Sequence, residues 1–511
     1  MPPDVVLLLA PLAAPLLAAA SAAAVGWRRT VGWLTVASAA AILLAGILVG
    51  TRTAGGGSLV LGVAMRADAL SAVMLLVIGA VGIVGSWAGI AWLDDEVRAG
   101  RTSERDAMVY ATLVPVFLAV MALAVLASNL GLVWAAIEAS TIVTAFLVGH
   151  RRTSAALEAA WKYVLICSVG VALAYLGTVL TFFAARHSGP GTEGSLDWHQ
   201  LAADSAHLDS GVMRIAFALL VIGFGAKVGL VPLHSWLPDA YGQAPAPVTA
   251  LLSGILPSVA VYALLRYRMV AADALSPTFI RVLLFSLALL TIAFAASMLL
   301  QQRDFKRLLA YSSMEHMGLI IVGVAVGTPL AIAAVLLHML GQGICKAVLF
   351  CSAGQIARLE GTTRIKDVRG LLGRRPPLGG VFVVGLAALL GFPPFSLFAS
   401  QFGLARATVA AGLGWVAAVT FTLMLVAVIA VLSRMSPMLL GSAEPALEPP
   451  TSGGSSSGAA SSSGGGSPSG AASAAHLAPM VVGLGALAVL GVLAWPLAPL
   501  LHTAATTVGV R

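Results

Sequence analysis

The sequence predicts an all-α polytopic membrane protein with about fourteen transmembrane helices. Of its 511 residues, 59% are hydrophobic and only 10% are charged. The mean hydropathy of +0.97 lies well above that of soluble globular proteins. Apolar runs of about 20 residues, the length that crosses a bilayer as a helix, recur along nearly the whole chain. Lipid is therefore the expected solvent for most of its surface.

The predicted spans follow one another along the chain, mostly with short connections. They lie at residues 5–25, 33–51, 68–93, 108–127, 129–149, 159–183, 213–232, 244–267, 278–300, 308–326, 329–355, 378–403, 411–440 and 478–501. No basic residue precedes the first apolar run, so we expect this segment to be a retained helix and not a cleaved signal peptide.

Two of these spans are interrupted. The segments "GFGAKVGLVPLHSWLP" (223–238) and "LLGFPPFSLFASQF" (389–402) place Gly and Pro inside apolar runs. Proline removes a helical hydrogen bond, and the freed backbone is tolerated in a membrane only where protein or a water-filled cavity satisfies it. The interrupted seventh and twelfth spans predict an internal repeat of helices 4–8 and 9–13, as transporters use to place a site near the midplane.

This repeat divides the chain into five predicted parts. Residues 1–107 hold helices 1–3, and two five-helix repeats follow at 108–268 and 278–440. A Gly/Ser-rich segment at 441–477 is expected to be a flexible linker because it is poor in hydrophobic residues. Residues 478–511 contain the C-terminal transmembrane helix.

Basic residues concentrate in the odd-numbered connections, which predicts that these loops are cytoplasmic and both termini outside. The clusters are Arg28 and Arg29; Arg98, Arg101 and Arg105; Arg151 and Arg152; Arg303, Lys306 and Arg307; and Arg358, Arg364, Lys366, Arg369, Arg374 and Arg375. Three arginines beside an even-numbered connection run against this pattern, namely Arg266, Arg268 and Arg281.

The sequence gives no sign of a redox cofactor or a metal. Its three cysteines, Cys167, Cys345 and Cys351, lie inside predicted spans and lack C-x-x-C spacing, so small packing residues are the simplest interpretation. A Walker loop, a strand-borne G-x-G-x-x-G and an H-E-x-x-H motif are also missing. We therefore expect no cofactor and no catalytic centre in this chain.

Lys227 is the most informative polar residue in the apolar spans. A lysine at the centre of a span costs about 2.5–3.5 kcal/mol on insertion scales, so it needs a partner or a use. Gly223, Gly225 and Gly229 would let water or a helix approach it, and a buried lysine can act as a proton carrier. The alternative is a snorkelling lysine near the helix end at Pro232.

Glu138 is the single acid in its span and lies deep within it. Its natural partner is Lys227 on another helix, forming an intramembrane pair that opens and closes as protons arrive. The alternative is a static structural salt bridge. His234, in the interrupted segment that follows Lys227, is a further candidate for proton translocation.

The eleventh span carries a polar stripe. His338, Gln342 and Lys346 recur at every fourth residue, which places them on one helix face over roughly 12 Å. A histidine and a lysine joined by an amide suit a path for protons or water better than a metal site. A lone histidine here would more often be a packing residue, but the aligned lysine favours function.

Two other acidic and basic pairs are open to two interpretations. Glu315 and His316 lie about two turns into the tenth span, where they form either a cytoplasmic access point for protons or an interfacial salt-bridge network. Glu158 and Lys162 are four residues apart, so a local ion pair explains them nearly as well as a proton relay does.

Four segments together resemble a known superfamily. They are "KVGLVPLHSWLPDAYGQAPAPVTALLSGIL", "DFKRLLAYSSMEHMG", "GQGICKAVLF" and "GFPPFSLFASQF". They are similar to the antiporter-like subunits of respiratory complex I, Mrp-type sodium/proton antiporters and group 4 membrane hydrogenases, over roughly residues 60–440. The stretch "IEASTIVTAFLVGHRRTSAALEAAWKYVLICSVGVALAYLGTVL" looks most like hydrogenase-4 component F.

This resemblance implies fourteen helices with two inverted five-helix repeats and a chain of ionisable groups along the midplane. It makes Glu138 and Lys227 the pair of the first half-channel, Lys346 the central connecting lysine and His338 its companion. It also implies a prokaryotic inner-membrane subunit without cofactors, which assembles with other membrane subunits and a peripheral redox module and moves protons. The alternatives are an Mrp-type sodium/proton antiporter subunit and a proton-inert scaffold subunit.

Two positions depart from the family pattern. Many relatives carry a lysine where the eighth span places Ser258, and a lysine or glutamate where the twelfth span places Gln401. Because Gln401 cannot titrate, the outward proton exit is expected to be either rerouted or absent.

Overall fold

A computed structural model describes residues 3–186, 195–441 and 474–508. Almost all of these residues are helical. The elements are α1 (Pro3–Val25), α2 (Arg29–Thr53), β1 (Leu59–Leu61), β2 (Met65–Ala67), α3 (Ala69–Arg98), α4 (Glu104–Leu126), α5 (Leu130–Val148), α6 (Ser154–Arg186), α7 (Trp198–Ala203), α8 (Ser210–Val228), α9 (Trp236–Gln243), α10 (Ala246–Gly254), α11 (Leu256–Val270), α12 (Pro277–Leu299), α13 (Phe305–Val326), α14 (Pro329–Glu360), α15 (Leu371–Arg374), α16 (Pro376–Leu389), α17 (Ser396–Ala410), α18 (Gly414–Leu440), α19 (Ala474–Val492) and α20 (Ala498–Val508).

The prediction of an all-α polytopic membrane protein is confirmed. Within the described residues, thirteen helices are long and apolar enough to cross a membrane. The predicted span at 378–403 is the remaining one, and it consists of α16 and α17, which have 14 and 15 residues. Each is shorter than a bilayer requires, because the interruption divides one crossing between them.

The seventh crossing is broken between α8 and α9. α8 ends at Val228 and is capped by Gly229, whose φ of +87° lies in the left-handed region that favours glycine. The N–H of Leu230 closes the helix end by donating to the carbonyl of Gly225 (2.9 Å). Trp236 satisfies a freed carbonyl of α8, since its indole N–H donates to Ala226 (2.9 Å). Residues of the break itself therefore satisfy the backbone carbonyls that the end of α8 leaves free.

The twelfth crossing is broken in the same way between α16 and α17. Gly391 has φ +75°, and the N–H of Phe392 donates to the carbonyl of Ala387 (3.0 Å). The side-chain amide of Gln401 packs against Gly391, where a Cβ would collide with it. A proline stands three residues after the glycine in both breaks. The predicted interruption of helices 7 and 12 is thus present, while the division into domains stays a prediction.

Four crossings form the centre of the bundle. The apolar windows of 246–270 and 305–326 are wholly buried inside the protein, and α3 and α14 are nearly so. Gly254 and Gly343 bring α10 and α14 together, since a Cβ on Gly254 would lie 3.0 Å from the carbonyl oxygen of Gly343. In α1, α2, α5, α6, α12, α18 and α19, less than half of the apolar window is buried.

The C-terminal crossing differs from its predicted span of 478–501. The helix that can cross is α19 alone, which ends at Val492, and a turn at Trp495–Leu497 leads into the short helix α20. Pro496 explains the turn, because proline interrupts the hydrogen bonding of a helix. Gly491 of α19 packs directly against the Pro394 carbonyl in the break of the twelfth crossing. The predicted linker at 441–477 lies outside the described residues except at its two ends.

A buried ion pair explains one arginine that ran against the charge pattern. Arg266 near the end of α11 is fully buried and donates to both carboxylate oxygens of Asp68 at 2.6 and 2.7 Å. Its guanidinium also stacks 3.8 Å from the ring centroid of Trp198. Arg268 is buried as well and donates to the carbonyl of Val508. Both arginines are buried in contacts between elements and do not lie in an exposed loop. They therefore say little about which side of the membrane that connection faces.

Candidate functional site

Lys227 lies in the last turn of α8 and is completely buried. Its ammonium group donates hydrogen bonds to the hydroxyl of Thr141 on α5 (2.6 Å) and to that of Tyr163 on α6 (3.0 Å). The ring of Tyr163 is 5.0 Å from the ammonium nitrogen. The snorkelling alternative is therefore wrong for this lysine, since its charged end points into the protein.

Glu138 lies one helical turn before Thr141 and is half-buried. Thr141 donates to its carboxylate at 3.2 Å, and Ser168 of α6 donates to the other oxygen at 3.4 Å. Among the described residues, Glu138 and Lys227 do not approach within the 4.0 Å of an ion pair. Instead of the predicted direct pair, the Thr141 hydroxyl accepts from the ammonium and donates to the carboxylate. Such a hydroxyl can pass a proton between the two groups.

The carboxylate of Glu138 also faces outward. It lines a groove of about 580 Å³ between α5 and α6, together with Thr141 and Ser168. The walls of the groove include Phe146 and Trp161, which are both 65% exposed. Lys227 does not line this groove. The glutamate therefore stands between an outward-facing groove and the buried lysine.

Lys346 is the second completely buried lysine, in the middle of α14. Its ammonium group donates to the hydroxyl of Ser312 (2.5 Å) and to the carbonyl of Leu309 (3.1 Å), both on α13. Glu315 lies one turn after Ser312 and is only 5% exposed. Each buried lysine is thus held by a hydroxyl that lies one helical turn from a glutamate.

A chain of hydrogen bonds leads from α13 to the broken twelfth crossing. Nδ1 of His316 is 3.0 Å from Nε2 of His338, and Nδ1 of His338 is 2.8 Å from the hydroxyl of Ser400 on α17. The two imidazole rings stack with centroids 5.1 Å apart. Because imidazole can both accept and donate, this arrangement suits proton transfer between helices.

The polar stripe predicted on α14 is present, and its central residue is unusual. Both amide atoms of Gln342 are buried, and neither has a hydrogen-bond partner within the described chain. A buried amide of this kind normally binds ordered water. Gln342 lies between His338 and Lys346 on the same face, so water bound there would connect the two groups.

Gln401, the departure on the twelfth crossing, lies beside a buried carboxylate. It lines a cavity of about 190 Å³ together with Ser312, Glu315 and His316. Glu315 and His316 are almost fully buried, and Glu315 has no ion pair among the described residues. Of the two interpretations considered for this pair, the interfacial salt-bridge network is wrong.

Aromatic rings fill the space between the two lysine clusters. Tyr163 contacts Trp236 (ring centroids 4.9 Å apart), Trp236 contacts Tyr241 (6.0 Å) and Tyr241 contacts Phe350 (5.7 Å). In the part of the chain that the structure describes, side-chain hydrogen bonds do not join one cluster to the other. These rings therefore separate the two hydrogen-bonded clusters.

Two further candidates, Lys162 and His234, and the departure at Ser258 lie outside these clusters. Lys162 has a 46% exposed side chain and pairs with Glu158 (2.6 Å) and Asp239 (3.1 Å), as the local ion-pair interpretation expects. His234 is half-buried in the first break, where its ring centroid lies 4.3 Å from that of Phe294. Ser258 is buried and donates to the carbonyl of Gly254 in the preceding turn of chain (2.8 Å).

The sequence interpretation missed the hydroxyl groups that hold the charges. Thr141 and Ser312 lie three residues from Glu138 and Glu315, so both spacings place hydroxyl and carboxylate on one helix face. That spacing could have identified both hydroxyl groups from the sequence. No sequence pattern identifies Tyr163 and Ser400, because only the packing of helices brings them to Lys227 and His338.

The comparisons with known proteins agree with this architecture. The sequence profile of the family described as "NADH:quinone oxidoreductase/Mrp antiporter, TM" matches residues 127–427. The hydrogenase-4 component F homolog of Methylacidiphilum infernorum is 38% identical over 335 residues, or 66% of this chain and 70% of the relative. NADH-quinone oxidoreductase subunit N of Desulforudis audaxviator is 37% identical over 286 residues, or 55% of this chain and 54% of the relative.

A solved structure carries the likeness over the full length. A chain of the Mrp complex from Dietzia sp. DQ12-45-1b superposes with a TM-score of 0.83 at 23% sequence identity, covering 99% of this chain and 97% of that one. At this identity the likeness establishes the fold alone. Because the family profile covers more than half of the sequence, the chain belongs to the NADH:quinone oxidoreductase/Mrp antiporter family of multi-pass membrane proteins.

Proposed function

We propose that this chain is a proton-translocating membrane subunit of a redox complex of the complex I-like or group 4 hydrogenase-like type. One observation carries the proposal: two completely buried lysines are each held by a hydroxyl that lies one turn from a glutamate. Buried ionisable groups in a membrane are costly and mark ion pathways. The relatives that are hydrogenase-4 and quinone oxidoreductase subunits support the choice of complex.

In the first half of the path, the lysine and the glutamate exchange a proton through Thr141. When Lys227 gives its proton to the hydroxyl, Thr141 passes its own proton to Glu138. The transfer removes one positive and one negative charge, so a charge that arrives or leaves nearby shifts its equilibrium. An electron-transfer event in a partner subunit would act on the pair in this way.

In the second half, Ser312 accepts from Lys346 as Thr141 accepts from Lys227, and Glu315 lies one turn further along α13. The Ser312 hydroxyl itself donates to the carbonyl of Leu309 (2.9 Å). From there protons would pass to His316, His338 and Ser400. This route reaches the twelfth crossing at Ser400 without using Gln401, and it favours a rerouted exit over an absent one. The proposed repeats, 108–268 and 278–440, contain one completely buried lysine each, while Lys306 at the start of α13 is 4% exposed and donates to the carbonyl of Gly242.

The proposal includes an orientation and an assembly. The odd-numbered connections would be cytoplasmic and both termini outside, because the exposed basic clusters lie in those connections. The chain would assemble with other membrane subunits and with a peripheral redox module that holds all cofactors. Its membrane is then the inner membrane of a prokaryote.

Removing either buried lysine tests the function. We expect Lys227→Ala and Lys346→Ala to abolish redox-linked acidification of inverted vesicles while the complex still assembles. Lys227→Arg should also fail, because a guanidinium keeps its charge but does not release its proton at physiological pH. The measurement is the quenching of a pH-sensitive dye, beside the rate of electron transfer and the amount of complex in the membrane.

Two results would contradict the proposal and favour one of its alternatives. Unchanged acidification in both alanine variants would favour a proton-inert scaffold subunit. An effect of an imposed sodium gradient on proton flux, in the absence of electron transfer, would instead favour an Mrp-type antiporter subunit.

A further inference from the structure

A basic pocket lies where the connection from α12 to α13, the connection from α14 to α16 and the end of α18 meet. Its volume is about 710 Å³. Six cationic side chains line it, and Asp304 is the one acidic side chain among the lining residues. The cations are Arg303, Arg307, Arg364, Lys366, Arg369 and Arg434.

The pocket is held by backbone hydrogen bonds between its walls. Phe305 donates to the carbonyl of Thr363 (3.0 Å), and Ile365 donates to that of Arg303 (2.9 Å). These bonds fasten the long connection to the start of α13. Arg434 closes the third side by donating to the carbonyl of Leu300. The cations therefore converge on one formed cavity, although they come from different segments of the chain.

The positive charge of the pocket is not neutralised by the described part of the chain. Asp304 already accepts from the N–H of Arg307 and from the hydroxyl of Thr363. Arg307 pairs with Asp239, outside the pocket (2.9 Å). The five other cations have no carboxylate within ion-pair distance among the described residues. Such a concentration of like charge favours an anionic ligand.

The position of the pocket indicates where this anion comes from. On the wall formed by α18, Arg434 and Pro437 are followed by Leu440, which is 73% exposed. Leu425, Ile429 and Leu432 continue this apolar surface toward the middle of the helix, each about half exposed. A charged cavity at the end of an exposed apolar helix face has the two parts that a phospholipid requires.

We propose that this pocket binds the headgroup phosphate of an anionic phospholipid, whose acyl chains lie along the exposed face of α18. Arginine donates paired hydrogen bonds to phosphate oxygens, and these bonds are stronger than those between neutral groups. Phosphatidylglycerol keeps its negative charge in the pocket, whereas the choline of phosphatidylcholine cancels it. The site does not depend on proton translocation.

Lipid titration of the purified full-length chain tests the site. Binding of phosphatidylglycerol and of phosphatidylcholine is measured by native mass spectrometry from one detergent. The pocket variant is Arg303→Gln/Arg364→Gln, since these two side chains come from different walls and make no side-chain hydrogen bond within the described structure. The matched control is Arg28→Gln/Arg105→Gln, which removes the same charge from two other odd-numbered connections.

We expect the unaltered chain to bind phosphatidylglycerol more tightly than phosphatidylcholine. The pocket variant should weaken phosphatidylglycerol binding by about tenfold or more, and the control should not. The preference should also shrink as salt is raised, because exposed charges are screened.

Three outcomes would overturn the proposal. Equal binding of phosphatidylglycerol and phosphatidylcholine would contradict the preference for an anionic headgroup. An equal loss of phosphatidylglycerol binding in the pocket variant and in the control would show that only the net charge of the protein matters. Inorganic phosphate that displaces phosphatidylglycerol at micromolar concentration would point to a soluble phosphate ligand.

Discussion

At the scale of single residues, hydroxyl groups decide how the buried charges are connected. Lys227 and Glu138 share Thr141, which accepts from one and donates to the other. A direct ion pair would hold both charges in place. A bridging hydroxyl lets the proton move without displacement of either helix, because it carries a donor and acceptor lone pairs.

Replacement of this hydroxyl gives a residue-scale prediction. Thr141→Val keeps the size and shape of the side chain but removes both hydrogen bonds. We expect proton flux to fall by about tenfold or more, since a hydrogen bond to a charged group contributes about 1.5–3 kcal/mol. Dye quenching in inverted vesicles measures the flux.

Thr181→Val is the matched control for this change. Thr181 is equally buried, but its hydroxyl donates only to the carbonyl of Gly177 in its own helix (2.9 Å). If both variants lost flux to the same degree, Thr141 would have a structural role and not a role in proton transfer.

Ser400 and Gln401 are adjacent in sequence and differ in their contacts. Ser400 is hydrogen-bonded to His338, whereas Gln401 packs against Gly391 and faces the cavity beside Glu315. If protons leave through Ser400, Ser400→Ala should lower the flux and Gln401→Glu should leave it unchanged. An increase of flux in Gln401→Glu, measured in the same vesicles, would mean that the chain lacks an exit.

At the scale of elements, the two breaks bring polar backbone to the depth of the buried side chains. In each, a glycine in the left-handed region ends the first half-helix, and a hydrogen bond between residues five apart closes it. Lys227 lies in the last turn of the half-helix before the first break. Ser400 lies in the first turns of the half-helix after the second break.

The glycines of the breaks support a prediction about stability. Gly229→Ala and Gly391→Ala would each place a Cβ in a left-handed conformation and against a neighbouring side chain, Leu237 or Gln401. We expect a loss of about 1–3 kcal/mol for each, measured as a lower midpoint of thermal denaturation in detergent.

Gly412→Ala separates the two causes. Gly412 has φ +76° but open space around its Cβ position, so this variant should show only the conformational cost of about 1 kcal/mol. Equal destabilisation of all three variants would mean that close packing at the breaks contributes nothing.

At the scale of the whole molecule, charge is distributed unequally between the two ends of the bundle. The basic pocket and the exposed arginine clusters lie at the odd-numbered connections. At the other end, Arg266 is neutralised by Asp68. Removing the buried arginines from the count makes the charge pattern more consistent with cytoplasmic odd-numbered connections.

Single engineered cysteines test this orientation. The three native cysteines are buried, so a membrane-impermeant maleimide should report only on an introduced thiol. Asp367 and His207 are exposed and lie in an odd-numbered and an even-numbered connection. We expect Asp367→Cys to be labelled only in inverted vesicles and His207→Cys only in right-side-out vesicles. The opposite pattern would reverse the proposed topology.

The sequence alone determined the fold class, the two breaks and most of the charged residues of the candidate site. These features are local, because hydropathy, proline, glycine and a lone charge in an apolar run have the same meaning in any membrane helix. The positions of Lys227, Glu138, Lys346 and His338 could be predicted for this reason.

The tertiary structure decided which side chains meet. The link through Thr141, the contact between His338 and Ser400 and the exposure of Lys162 depend on how each helix is rotated toward its neighbours. Helical periodicity places residues on a common face, but it does not say which other helix that face will contact. The basic pocket also depends on tertiary packing, since its walls come from two connections and the end of α18, which are far apart in the sequence.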